Sequence, residues 1–591
     1  MKKFIQLFAI TLFILSFSNC KKSGGPGPDE DPILNPGKFA ENFGSVTNRD
    51  FTGQIVDVSQ NGLSGVTVKI GSTTTQTDAN GIFILKNAGV YDKFAYITAT
   101  KTGFLNGSRA LVPTAGTNHT KIILLPATVT STVNTGAASN VSLTNGTKIT
   151  FDGNFKTETG GTYSGVVSVI VNHLDPADEN LADKMPGMLF AQAANGDAKV
   201  LETYGMVNVE LRGTAGEKLQ ISNTAQIEFP ITATQQGSAP TTIPLWHFDE
   251  TLGYWKEEGL ATKSGNKYTG SVKHFSWWNV DLPLQGMFLK FKIVDASGHP
   301  LPNIRTTLSD SYPANTNSNG ELSGLVPKNT SFVLKTYAIN SCATLLSTQT
   351  IGPFTTDTTL PNVVVNPASS STQIKTINGT LKKCNNTNVT NGYVALTYDF
   401  KTYVSLVTNG SFSLSIMTCA SSNSFSIRGE DLDNNQNSGT TSANLNTAIV
   451  NVGNLNTCIS TPESITYTID GGAAIQISTN ITASISGSAL NISGGTLNPL
   501  FIIGNSISAG TYTTQSGFQI NGTGLSPGGI SGAPTYSNFA ITYTLLNVGA
   551  TGQFIDILFN GTYNEQVMTG MGQGFNATRT ISGTAHVLRD N

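Results

Sequence analysis

The chain has 591 residues, of which only 12% are charged, and its formal net charge is −3 at pH 7. Typical globular chains carry about 25% charged residues; here Gly, Ser, Thr and Asn fill the gap, which disfavours helices and favours sheets with neutral polar faces. The absence of a basic stripe argues against nucleic acid as a partner, and a hydrophobic share of 38% argues against a disordered chain.

The N-terminus carries an address. Met1-Lys2-Lys3 is a short basic region, and Phe4 to Phe17 is a mostly apolar run too short for a comfortable membrane span. The run ends on Ser18-Asn19-Cys20. An apolar stretch that closes directly on a cysteine resembles a bacterial lipoprotein signal. That resemblance implies a signal peptide over 1–19 and a lipid on Cys20 that anchors the mature chain in the outer membrane. Residues 20–50, where Pro26, Pro28 and Pro32 alternate with Gly and acidic residues, read as a flexible linker.

Three alternating apolar runs follow, separated by Gly/Asn-rich turns: Gly53-x-Ile55-x-Asp57, Gly65-Val66-x-Val68 and Thr77-Asp78-x-x-Gly81-x-Phe83. Strict alternation bounded by turn residues predicts an antiparallel β-sandwich over 51–126. Gly81 suits a turn that needs positive φ, and Phe83 would enter the core. These motifs resemble the carboxypeptidase regulatory-like family, which implies a transthyretin-like fold and an accessory module more than an activity.

Residues 127–285 form a larger, aromatic-rich β-sandwich region, with apolar strands at Gly165–Val171 and Tyr204–Leu211. It closes on Pro244-Leu245-Trp246-His247-Phe248, Gly253-Tyr254-Trp255 and His274-Phe275-Ser276-Trp277-Trp278. This succession resembles the β region of cartilage-intermediate-layer-type proteins and the module found in ankyrins and netrin receptors. A second regulatory-like sandwich spans 286–367, carried by Asp295, Gly298, Leu301-Pro302-Asn303-Ile304 and Asn317-x-x-Gly320. Asp57 lies 24 residues before Gly81 and Asp295 lies 25 before Gly320, which argues for true repetition. A third, degenerate copy spans 368–459, with Asn378-Gly379-Thr380-Leu381, Val389–Val394 and Asn409-Gly410 in the same roles and Cys384 in the aspartate region. Residues 460–591 predict a separate C-terminal β domain, similar to those of Bacteroidetes-type envelope lipoproteins. The fold class is therefore all-β, as tandem antiparallel sandwiches of transthyretin-like or immunoglobulin-like type.

Cys342, Cys384, Cys419 and Cys458 are an even set in an exported chain, so two disulfides are expected. Three connectivities are possible, with Cys384–Cys419, in one predicted module, preferred. All four tryptophans, Trp246, Trp255, Trp277 and Trp278, fall within 33 residues. They are candidates for sugar stacking or for a core edge on which Trp277 and Trp278 face opposite ways. His247 and Glu250 have the HxxE spacing of zinc carboxypeptidases, but Pro244 and the aromatic neighbours favour a strand and turn, which splits that pair.

His274-Phe275-Ser276 resembles the self-cleaving turn of some ankyrin-like modules. The resemblance implies attack of the Ser276 hydroxyl on the Phe275 carbonyl, with His274 moving the proton. Asp431, Asp433 and Asn435 offer alternate oxygen ligands as Ca²⁺ loops do, without the closing Glu; an ordinary polar turn is the competing expectation. Asp357-Thr358-Thr359 matches a short O-glycosylation signal. No cofactor is expected.

The resulting expectation is a lipid-anchored, non-enzymatic envelope protein that presents β-sandwiches for binding or adhesion, with a glycan or another envelope protein as partner. Two alternatives stand beside it: an autoproteolytic surface protein cut between Phe275 and Ser276, and a carbohydrate-binding accessory of a polysaccharide-uptake system.

Overall fold

The computed structural model describes residues 37–591 except 310, 340–342, 368–371, 400, 420–422, 461, 471, 473–474, 496–498, 523–538, 552–553 and 569–573. The expected signal peptide and Cys20, and also Cys342, lie outside the described residues. Among the described residues no helix is long and apolar enough to cross a membrane.

One turn skeleton recurs three times. In the first copy the Ile55 amide donates to the Gly81 carbonyl and the Leu63 amide to the Ile55 carbonyl, at 2.8 and 2.9 Å. The second copy repeats this with Ile293, Gly320 and Leu301, and the third with Leu381, Gly410 and Val389. Side chains close the same turns. Asp57 Oδ1 accepts from the Ser59 and Asn61 amides, and Asp295 Oδ1 from those of Ser297 and His299. Asp78 holds the next turn through the Asn80 and Ile82 amides, a role that Asn317 takes in the second copy. Short polar side chains that bond their own backbone are what make Asp and Asn turn residues. Gly81 adopts φ +74°, and a Cβ there would lie 2.3 Å from the Ile55 carbonyl oxygen, so the position excludes a side chain twice over.

Each copy is two small sheets around an apolar layer. In the first, Val46–Val56 lies between Ile82–Tyr91, antiparallel, and Asn118–Ile123, parallel. A four-stranded sheet of Thr73–Gln76, Thr67–Ile70, Ala95–Thr100 and Gly107–Leu111 covers it. Phe83, 1% exposed, sits in the core between them with Phe51, Val68 and Ile97. Sheets built from Gly286–Val294 to Val363–Val364 and from Gln373–Lys383 to Ile459–Ser460 form the later copies. Residues 464–588 form a six-stranded and a four-stranded antiparallel sheet around their own core.

Between the first two copies, Ser131–Leu284 builds one 14-stranded sheet with an apolar layer on each face. One layer is internal to that region. The other is shared with the first sandwich: Phe94, Tyr96, Leu105 and Ala110 pack with Phe190, Trp246, Phe248 and Trp255. This corrects the expected boundary of the linker. Gly37–Phe43 is a 3-10 turn whose Phe39 and Phe43 are 4% and 0% exposed, and the first strand begins at Val46. Two aromatic side chains in an otherwise polar stretch are enough to dock it, because burying each is worth about 1.5–3 kcal/mol. Phe43 stacks on Phe94 with centroids 4.2 Å apart.

Among the described residues, the first sandwich bonds to the large sheet and to both later copies, and its Gly65 faces the C-terminal domain. It donates from Arg109 Nη1 to the Ala182 carbonyl at 2.6 Å, and accepts at the Val112 carbonyl from Ser323 Oγ at 2.6 Å. It pairs Lys93 with Asp357 at 2.7 Å. Asn80 donates to the Tyr393 hydroxyl at 2.9 Å, and that hydroxyl donates to Asp78. A Cβ on Gly65 would lie 3.6 Å from the Thr584 methyl of the C-terminal domain. The modules are thus gathered round the first copy.

The disulfide differs from the preferred pairing. Cys384 is bonded to Cys458, with Cα atoms 4.8 Å apart, and Cys419 is also disulfide-bonded. Gln373–Lys383 and Ile449–Thr457 run parallel, with Lys383 opposite Thr457, so Cys384 and Cys458 emerge side by side. Ser411–Thr418 is antiparallel to the same strand, with Thr418 opposite Gln373, which puts Cys419 at the far end of the sheet.

Candidate functional site

The strand Thr242–Asp249 alternates Leu245 and His247 on one face with Trp246 and Phe248 on the other. It lies between Tyr254–Ser264 and Trp277–Leu284, with His247 opposite both Lys256 and Trp278. All four tryptophans are buried: Trp246, Trp255 and Trp278 at 0% and Trp277 at 3% exposure. Trp277 and Trp278 do point to opposite faces, but both faces are covered. Trp278 enters the internal layer, while Trp246, Trp255 and Trp277 enter the layer shared with the first sandwich. Of the two expectations for these rings, burial fits the core and not a sugar-stacking surface; Trp246, Trp255 and Trp277 form the socket that holds the first module.

Two of these strands, and the bend that leads into the third, bring together chemistry that the sequence scatters. His247, Glu258 and His274 each offer a ligating atom within 4.8 Å of the others. Glu258 Oε2 lies 3.3 Å from His274 Nε2 and 3.7 Å from His247 Nε2. The imidazoles meet edge to face with centroids 4.8 Å apart, and each also lies against Trp278, at 5.7 Å for His247 and 5.1 Å for His274. Burial, followed by the neighbouring His274, pulls the His247 pKa down to about 4, so this ring is neutral at physiological pH. The sequence reading paired His247 with Glu250. Instead Glu250 sits in the turn past the strand, where it accepts from Asn106 Nδ2 at 3.5 Å. Glu258 carried no motif; only the strand pairing shows that it shares a face with His247.

His274-Phe275-Ser276 forms the bend between Lys267–Val272 and Trp277–Leu284. Gln220 clasps Phe275 from both sides: its Oε1 accepts from the Phe275 amide at 2.7 Å, and its Nε2 donates to the Phe275 carbonyl at 2.9 Å. The Phe275 ring is buried against Phe151. Ser276 Oγ donates to the Trp277 carbonyl at 3.1 Å, and Trp278 Nε1 donates to the His274 carbonyl at 3.0 Å. His274 Nε2 faces Glu258, so histidine and serine flank Phe275 without the serine–histidine contact that general-base activation needs. A cavity of about 290 Å³ opens beside the bend, lined by Asn208, Glu210, Gln220, Glu250, His274 and Ser276. A larger one, about 700 Å³, lies away from it, between Arg109, Met188, Phe291 and Arg305.

The suggested Ca²⁺ loop is a satisfied turn. Asp431 is 1% exposed and accepts from the Asp433 amide and from Asn434 Nδ2; Asp433 accepts from Asn391 Nδ2 at 2.8 Å; Asn435 supplies a left-handed φ of +48°. Loop donors occupy the carboxylates that a cation would need. Asp357 of the O-glycosylation signal is likewise engaged, by Lys93 and by the Phe288 amide.

No protein-family model matches the chain. Cartilage intermediate layer protein 2 of Homo sapiens is 30% identical over 115 residues, 19% of this chain and 10% of that protein, and the Mus musculus protein of the same name is 30% identical over 114 residues. The chain thus spans about a tenth of the length of the curated relatives it matches. Among solved structures, a streptococcal ancillary pilin covers 36% of this chain at 10% identity, with 92% of its own length covered and a TM-score of 0.13. The Bacillus anthracis TIE protein covers 72% of this chain at 10% identity, with 73% of its own length covered and a TM-score of 0.14. Likenesses of this size say nothing about what the chain does. The class the fold itself defines is a tandem β-sandwich protein in which three copies of one module flank and follow a larger aromatic-rich sheet.

Proposed function

We propose that the chain is a lipid-anchored protein of the cell envelope, held at the outer membrane through Cys20, that presents β-sandwich modules for binding or adhesion. The observation that carries this reading is the gathering of the other modules round the first sandwich, the one that follows the N-terminal segment. A tether that ends in the hub of the assembly would carry all the modules as one body. Neutral polar faces, rich in Thr, Ser and Asn, suit hydrogen-bonded contact with a glycan or another envelope protein. The test is metabolic labelling with an alkyne fatty acid. Label on wild type and none on Cys20→Ala, with the variant released from membranes, supports the anchor; equal label on both defeats it. Protease shaving of whole cells then reports which leaflet the modules face.

Self-cleavage is the second reading. One contact favours it: Gln220 Nε2 already donates to the Phe275 carbonyl oxygen, where charge would develop. Ser276 Oγ would add to the Phe275 carbonyl carbon as its proton passes to the Ser276 nitrogen, that nitrogen would leave as an amine, and water would hydrolyse the ester to a Phe275 carboxylate and a free Ser276 hydroxyl. The hydroxyl must first turn from the Trp277 carbonyl. Intact mass decides: two fragments from wild type and one species from Ser276→Ala support cleavage, and a single full-length species from wild type ends the idea.

A further inference from the structure

The geometry points to a divalent transition-metal site, with Zn²⁺ as its natural occupant, held by His247, Glu258 and His274. Two imidazoles and one carboxylate are a zinc ligand set that leaves one position open for water. With metal–ligand bonds of about 2.0–2.2 Å, the edges of a tetrahedron are roughly 3.4 Å. The two edges that meet at Glu258 Oε2 are already 3.3 and 3.7 Å. The remaining edge, between the histidines, is at most 4.8 Å and would shorten toward the tetrahedral length by rotation of the two rings.

Five further features fit a cation better than an ion pair. His274 alone has Glu258 at hydrogen-bond distance, so the carboxylate bridges the two rings without bonding both. His247 and Glu258 stand on two strands paired to each other, and His274 stands on the bend between two further strands that pair with them, which fixes their spacing. Trp278 floors the site, and its indole N–H pins the His274 carbonyl, an outer contact of the kind that orients a ligand. The side chains of His247, Glu258 and His274 are 19%, 32% and 34% exposed, so an ion can enter from solvent and keep a water. Lys256, the nearby cation, is drawn off by Asp249 at 2.7 Å.

The test uses the untagged full chain, stripped with a chelator and titrated with Zn²⁺ by calorimetry. Expected are one Zn²⁺ per chain, a rise in the melting temperature on binding, and intense visible absorption when Co²⁺ is used instead. Loss of a ligand should weaken binding more than the ~10–100-fold seen for outer contacts. Glu258→Gln is the variant of choice, since it changes one atom on a half-exposed side chain and keeps the fold. His247→Ala with His274→Ala is the second. Absence of binding to wild type, or binding unchanged in Glu258→Gln, overturns the site.

Discussion

In the first copy of the repeated sandwich, the strand Val46–Val56 runs parallel to Asn118–Ile123; in the third, Gln373–Lys383 runs parallel to Ile449–Thr457. The two pairs occupy the same place in the same turn skeleton. The first is buried, with Ile122 and Ile123 each 1% exposed. The third is largely open, with Ile449 65% exposed, and it is pinned at its end by Cys384–Cys458. One fold is therefore stabilised in two ways. The first copy lends its outer faces to its neighbours and is held by them. The third has less apolar cover on that strand and is held by a covalent bond. A short module buries too little surface to be safe alone, so it needs neighbours or a cross-link.

The comparison breaks most severely at the socket of the first copy. Trp255→Ala removes a fully buried ring from the layer shared with Phe39, Tyr96 and Phe248. Its expected cost is about 3–5 kcal/mol. Limited proteolysis should then cut the first copy and the large sheet early, while a disulfide-linked fragment containing Cys384 and Cys458 persists. Loss of that fragment at the same rate would mean that the third copy depends on the hub as much as the first does.

The reciprocal change is Cys384→Ser together with Cys458→Ser. The bridge closes a sequence separation of 74 residues. Its removal should cost about 2–4 kcal/mol. Hydrogen exchange should show the strand Ile449–Thr457 opening, with Asn118–Ile123 in the first copy still protected.

The smallest effect lies where the two copies meet. Asp78 and Glu430 face a shared Asn80, with Tyr393 donating to Asp78 and Arg428 beside Glu430. Burial raises both carboxyl pKa values above their ordinary 3.8 and 4.5, against the lowering effect of those partners. A carboxyl whose pKa is raised on folding contributes stability that is complete below the unfolded value and lost as pH rises through the folded one. The contact between the copies should therefore weaken from about pH 4 upward. Melting curves across that range should fall less steeply for Asp78→Asn than for wild type; identical slopes would show that the pair does not titrate with assembly.

Much of the fold was legible from residue type. Asp57, Asp78 and Gly81 announce their turns because Asp can bond its own backbone and only Gly fits where a Cβ would strike the Ile55 carbonyl. The alternation around Phe83 shows which side chains face inward. The candidate site was legible in part. His274-Phe275-Ser276 is visible as a motif, but Gln220, which clasps it, is 55 positions away. Glu258 had no signal, since a glutamate in an alternating strand reads as a solvated face. Phe39 and Phe43 were hidden by the Pro/Gly stretch before them.

The sequence by itself determined the all-β class, the threefold repetition and the inward faces, because turn chemistry and period-2 alternation act over a few residues. Tertiary structure alone decided the rest. Which cysteine meets Cys384 follows from a parallel strand pair, which no local spacing encodes. Whether a tryptophan is a binding surface or a socket depends on what packs over it, and here the first sandwich does. His247, Glu258 and His274 meet because two paired strands, with a register shift at Glu258, come together with the bend that leads into a third. Contacts between distant segments follow from topology, and topology is fixed by the sum of many weak burials that no single motif records.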